Sequence, residues 1–226
     1  MDHDLHKNVS NIDFRVLIMT SVSAERDAVL RGLGEASVFD VVVAGVGSAV
    51  AAASTAVALS SRKYHLVINA GIAGGFVGKA EVESIVVASE IVAADLGTES
   101  ADGFISLDEL NLGSSRIKVE EDLVTNVMNG LEKAGLSAYT GPILTLSTVT
   151  GTTESAKMLA ERVEGATAEG MEGYGVAVAA RQFGVPVMEI RAISNMVGPR
   201  DRDAWRIKEA LAALEKASSV LVEVLR

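Results

Sequence analysis

Glu25, Glu172 and Asn195 each stand where a run of apolar residues gives way to a helix start or a loop. Glu25 falls two residues into a helix that Ser23 is expected to cap, directly after the strand Phe14 to Thr20. Glu172 falls in the first turn of a helix of small residues, Tyr174 to Ala180, which Gly184 closes. The positive end of a helix favours an ionised carboxylate, so both glutamates are held as anions that accept hydrogen bonds or protons. Asn195 follows Ser194 beyond the strand Val185 to Ile193, and ligands of open α/β sheets bind outside the carboxyl ends of their strands. A further feature, Asn69 to Phe76, carries Gly71, Gly74 and Gly75 in five positions. This exposes backbone amides and lets a ligand approach the chain along Gly71, Ile72, Ala73 and Gly74. Alone, Glu25 reads equally well as dipole compensation and Asn195 as a turn residue. Their recurrence at strand ends favours a shared site.

Other chemistries have few residues to work with. There is no cysteine, which removes thiolate catalysis and Cys–zinc sites and points to a reducing cytoplasm. Of three histidines, His3 and His6 fall in a polar leader over residues 1–12 and His65 opens a strand, so no metal site is expected. Gly45-Val46-Gly47 after a strand invites a dinucleotide-binding reading. Its third glycine would fall at Val50, and no acidic residue stands about twenty positions on, near His65, so no dinucleotide cofactor is expected. A formal net charge of −10 without a basic stripe argues against nucleic acid. No apolar run reaches membrane-spanning length, and the first ten residues are too polar for a signal peptide.

The elements that position these groups alternate. After the first strand and a helix to about Leu33 come a strand over Val38 to Ala44, an alanine-rich helix to about Ser60 and a strand over Leu66 to Ala70. Ser84 to Ala94 reads as a long strand, followed by an irregular stretch to about Ser115 in which Phe104 and Leu107 are candidates to close over a ligand. Asp122 to Ala134 is an amphipathic helix, Gly141 to Val149 a strand, Ser155 to Val163 a helix and Ala166 to Ala168 a short strand. A long helix is expected from Asp201 onward. The fold class is α/β, a central and largely parallel sheet flanked by helices, with residues 13–226 as one domain.

Met171-Glu172-Gly173 followed by Arg191-Ala192-Ile193-Ser194-Asn195 resembles the purine nucleoside phosphorylase and nucleosidase superfamily. The ending Ser194 to Asp201, with Trp205 and a final helix, is most similar to its futalosine-cleaving branch. The resemblance implies a three-layer αβα architecture with a mixed sheet, a homo-oligomer (dimer or larger), and a small-molecule nucleoside as substrate. Glu25 would orient and deprotonate water, Glu172 would bind the ribose hydroxyls, and Met171 would form an apolar wall under the sugar. Asn69 stands where phosphorylases carry a phosphate-binding arginine, which leans towards water as nucleophile. Adenine-cleaving relatives carry aspartate where Asn195 stands, and amide donors suit a 6-oxopurine such as hypoxanthine. Thr150 to Glu154 would border the base, with Phe76, Phe104, Tyr174 or Trp205 to stack on it, and Arg200 or Arg202 would meet an acidic substrate tail. The implied reaction is hydrolysis of futalosine in menaquinone biosynthesis. A methylthioadenosine/S-adenosylhomocysteine-type nucleosidase, a purine nucleoside phosphorylase and a non-catalytic nucleoside-binding protein remain as alternatives.

Overall fold

The computed structural model describes residues 14–225; the leader expected over residues 1–12, with His3 and His6, lies outside them. Val16–Thr20 forms β1, every residue of it buried, and such an unbroken run suits a strand covered on both faces. β1 pairs in parallel with β2 (Phe39–Val43) on one edge and β3 (Leu66–Gly75) on the other. Beyond the end of β1, β3 meets β9 (Ala168–Gly170) antiparallel, and along its opposite edge it runs parallel to β10 (Val187–Met196). β4 (Ile85–Ala93) joins β10 antiparallel and β8 (Ala138–Thr145) in parallel. β8 continues to β9, and β7 (Arg116–Lys118) attaches to β4. Strands β3, β10, β4, β8 and β9 thus close a ring of pairings. One parallel group contains β1, β2, β3 and β10, and an opposed one contains β4, β8 and β9, so the sheet is mixed.

Helices cover it on both sides. α1 (Ser23–Leu33), α3 (Glu121–Lys133) and α6 (Ile207–Val224) pack together on one side, and α2 (Ser48–Ser61) and α5 (Gly173–Gln182) on the other. A Cβ at Gly175 would lie 2.0 Å from the carbonyl oxygen of Ser48. Glycine therefore lets α5 lie directly on the start of α2, which brings Gly47 within reach of Glu172. α4 (Thr153–Arg162) covers a second, smaller apolar cluster with Phe76, Val92, Leu144 and Val197.

Several elements differ from their sequence-based expectations. The strand expected to end at Ala70 continues to Gly75, and the one expected to end at Ile193 continues through Asn195 to Met196. The two extensions pair with each other, with a register shift between Ile193 and Asn195; long-range pairing here overrides the local preference of glycine for turns. Between residues 95 and 115, expected to be irregular, β5 (Gly97–Ser100) and β6 (Gly103–Ser106) form a hairpin. The strand expected over Ala166 to Ala168 is β9, shifted to include Glu169, and β8 ends at Thr145 instead of Val149. The final helix starts at Ile207, after a short 3₁₀ turn at Arg202–Ala204.

Candidate active site

At the end of β1 the chain turns through Ser21 and Val22 into α1. Ser23 is the first helical residue and Val22 holds the cap position, so a serine cap does not form. Glu25 takes over the capping: its Oε2 accepts the amides of Ser21 at 2.8 Å and Val22 at 3.2 Å, and the Ser21 hydroxyl at 2.5 Å. Its Oε1 accepts the Ile72 amide at 2.9 Å, from the part of β3 that extends past β1. Glu25 is buried and bridges the end of β1 to the extended part of β3. A Cβ at Gly71 would sit 2.5 Å from Glu25 Oε1 and 2.7 Å from Arg191 Nη1. Glycine is required there because two charged groups cross the strand above it.

Glu172 occupies the cap position of α5, one step before the first turn where it was expected. Its Oε1 accepts the Gly47 amide at 3.2 Å; its Oε2 accepts the Met171 amide at 3.3 Å and Arg191 Nη2 at 3.2 Å. Arg191 is fully buried in β10 and donates from Nε to Glu189 Oε1 at 2.8 Å and from Nη1 to the Ile72 carbonyl at 3.3 Å. Burial alone would lower the pKa of Arg191, but the carboxylates of Glu189, Glu172 and Glu25 outweigh it and hold the guanidinium firmly charged. Glu189 is also fully buried; burial pushes its pKa up, against the pull of Arg191. Asn69, placed by sequence where a phosphate ligand would stand, is buried and donates to Glu189 Oε1 at 3.0 Å. Three carboxylates thus share one guanidinium, which leaves the cluster electronegative.

Asn195 lies across from Gly74 near the end of β10. Its Oδ1 accepts the Ser194 hydroxyl at 2.9 Å, and its Nδ2 donates to the Met196 carbonyl at 3.0 Å. One amide hydrogen of Asn195 therefore stays free for a ligand, where sequence reasoning counted two.

These groups surround one cavity of about 400 Å³. Glu25, Ile72, Ala73, Gly74, Met171, Glu172, Ser194 and Asn195 all line it, and Gly71 lies beneath Glu25. Of the aromatic residues expected to stack on a base, Trp205 lines it, with Arg200 over its ring at 5.4 Å. Phe76 is in the second apolar cluster, and the Tyr174 hydroxyl donates to the Ser114 carbonyl. Phe104 lies under Arg162, 3.8 Å from its guanidinium, in a separate cavity of about 470 Å³ with Asp108 and Arg116. That larger space holds Asp108 at a pKa of about 2 through the Ser115 and Ser114 hydroxyls, but none of the strand-end carboxylates. Among the described residues, no three His, Asp or Glu groups are placed to hold a metal ion.

Sequence reasoning missed Arg191 as the ion that holds Glu172, and also missed Glu169, Val46 and Val149 in the cavity wall. A signal existed for the first: Glu189 and Arg191 stand two apart within the apolar run from Val187 to Ile193, so both project to one face. Burying two charges there makes sense only if each meets a partner.

Residues 22–226 match the Phosphorylase superfamily. The chain is 49% identical to a futalosine hydrolase of Streptomyces coelicolor, over 93% of this chain and 96% of that protein. It is also 49% identical to a futalosine hydrolase of Acidothermus cellulolyticus, over 91% and 89%. The native structure of futalosine hydrolase of Helicobacter pylori superimposes with a TM-score of 0.81 at 20% identity, covering 95% of this chain and 100% of that one.

Proposed function

The chain belongs to the phosphorylase superfamily, and from that premise we infer that it is an N-glycosyl hydrolase acting on futalosine, releasing hypoxanthine and dehypoxanthine futalosine. The placement of Glu25, Glu172 and Asn195 around one cavity carries this reading. Breaking an N-glycosidic bond needs a nucleophile at the anomeric carbon, stabilisation of a sugar cation and stabilisation of the departing base.

Glu25 supports the first role. Oε2 already accepts three hydrogen bonds and Oε1 only one, so Oε1 keeps a lone pair to orient and deprotonate water. Glu172, fixed by Arg191 and the Gly47 amide, accepts from the ribose hydroxyls, and the surplus negative charge of the cluster favours a developing sugar cation. Met171 supplies the apolar wall under the sugar. The free amide hydrogen of Asn195, oriented by Ser194, donates to the base as negative charge builds on it. Asn69, engaged with Glu189, supports water over phosphate as nucleophile.

In the same reading the enzyme serves menaquinone biosynthesis in the cytoplasm and works as a homo-oligomer. Base release from futalosine, inosine and methylthioadenosine, each with and without phosphate, tests it by chromatography. Hypoxanthine from futalosine regardless of phosphate is the expected result. A requirement for phosphate would make the chain a phosphorylase, and adenine from methylthioadenosine alone would make it a nucleosidase of the other kind.

A further inference from the structure

Glu169 is a buried carboxylate in the cavity wall to which the hydrolytic step gives no task. It lies in β9 opposite Gly74 of β3, and Asn195 of β10 lies opposite the same Gly74 from the other edge. Directly paired residues project to one face of a sheet. Glu169 and Asn195 thus stand on one face, two strand spacings or roughly 10 Å apart at their Cα atoms, with a residue that has no side chain between them. A Cβ at Gly74 would come within 3.0 Å of Val197 Cγ2 and 3.4 Å of Asn195 Nδ2. The slot between the two polar groups exists because that position is glycine.

Among the described residues, the hydrogen bonds of Glu169 both come from Thr150: the backbone amide donates to Oε1 at 2.8 Å and the hydroxyl donates to Oε2. Burial pushes the carboxyl pKa up, and these two donors oppose the shift. Tying down Thr150 does not require an anion. A neutral side chain would do it without the desolvation that a buried carboxylate suffers. Engaging the Thr150 amide also removes a backbone donor from the cavity wall and leaves an acceptor in its place.

The two 6-substituted purines differ at that edge. A 6-oxopurine offers a donor at N1–H beside its oxo group; a 6-aminopurine offers a lone pair at N1 beside its amino group. A carboxylate accepts from the first and repels the second, while the free Asn195 amide hydrogen serves the N7 and O6 side. We propose that Glu169 reads the N1–H of the base, so that the choice of a 6-oxopurine is made jointly by Glu169 and Asn195. The proposal rests on the nucleoside-hydrolase reading above.

The test is kinetic, on the full chain, with futalosine, its 6-amino analogue and its N1-methyl derivative. In Glu169→Gln the carboxamide donates to an N1 lone pair, so the ratio of kcat/KM for the 6-oxo over the 6-amino substrate is expected to fall about 100-fold. The wild-type enzyme is expected to cleave the N1-methyl derivative at least about tenfold less efficiently than futalosine. If Glu169→Gln slows both substrates by one factor, Glu169 only anchors Thr150 and the proposal is wrong. Equal cleavage of N1-methyl and unmethylated futalosine by the wild type overturns it without any variant. Calorimetry with free hypoxanthine, 1-methylhypoxanthine and adenine separates the two readings. An enzyme inert to futalosine that still prefers hypoxanthine over its 1-methyl form would sink the proposed reaction but keep the role of Glu169.

Discussion

Around Glu25 and Glu172 the cavity wall is ionic and held from many directions: backbone amides from Ser21, Val22, Gly47, Met171 and Ile72 converge on the carboxylates, and Arg191 lies under them. Glu169 accepts hydrogen bonds from a single neutral residue, Thr150, and across the slot from it stands the amide of Asn195. The same side chain thus stands in two environments. Where donors and a guanidinium compensate it, a carboxylate is a fixed charge suited to a cationic transition state. Where one threonine holds it, the carboxylate keeps an acceptor for a ligand. The difference teaches that burial alone does not assign a role; the partners do.

Four measurements break or sharpen that contrast. Glu25→Gln keeps the shape and removes the base, and hypoxanthine release from futalosine should fall by about 10² to 10⁴-fold with folding intact; unchanged turnover would end the assignment. Arg191→Met leaves Glu189 and Glu172 buried without their counter-ion, and chemical denaturation should show a loss of about 3–5 kcal/mol. Glu169→Gln, with no ion pair to break, should show no loss of that size. Gly71→Ala forces a methyl group against Glu25 and Arg191, so it should cost about 1–3 kcal/mol in the same assay and weaken turnover as Glu25 shifts.

The smallest effect is on pH dependence. Burial raises the pKa of Glu169 above its ordinary 4.5, so the folded state holds this proton more tightly than the unfolded one. Its contribution to stability is complete below 4.5 and is lost as pH rises through the folded value. Thermal unfolding should therefore show the wild type losing stability relative to Glu169→Gln as pH rises from the acidic side to neutrality. A constant difference would mean that Thr150 fully compensates the anion.

Glu25, Glu172 and Asn195 were legible because each ends a local pattern: an apolar run stops and a helix start or strand end begins. Gly71 and Gly74 were legible as a place of close approach, although as strand residues instead of a turn. The hairpin at Gly97–Ser106 was not legible, because its short strands show no apolar alternation. Glu169 stayed hidden because a three-residue strand has too few positions to show a period, and its meaning depends on Gly74 and Asn195, far away in the chain.

By itself, the sequence determined the α/β class, the buried strands, the order of the helices and three of the polar groups at strand ends. Those follow from periodicity, caps and the cost of burying charge, all of which act between near neighbours. Tertiary structure decided that β3 and β10 extend along each other to Gly75 and Met196. It also placed Arg191 against Glu172 and beside Glu25 and set Glu169 and Asn195 on either side of one glycine. Those outcomes come from pairing and packing between separate elements, where backbone hydrogen bonds across strands outweigh what each short stretch prefers alone.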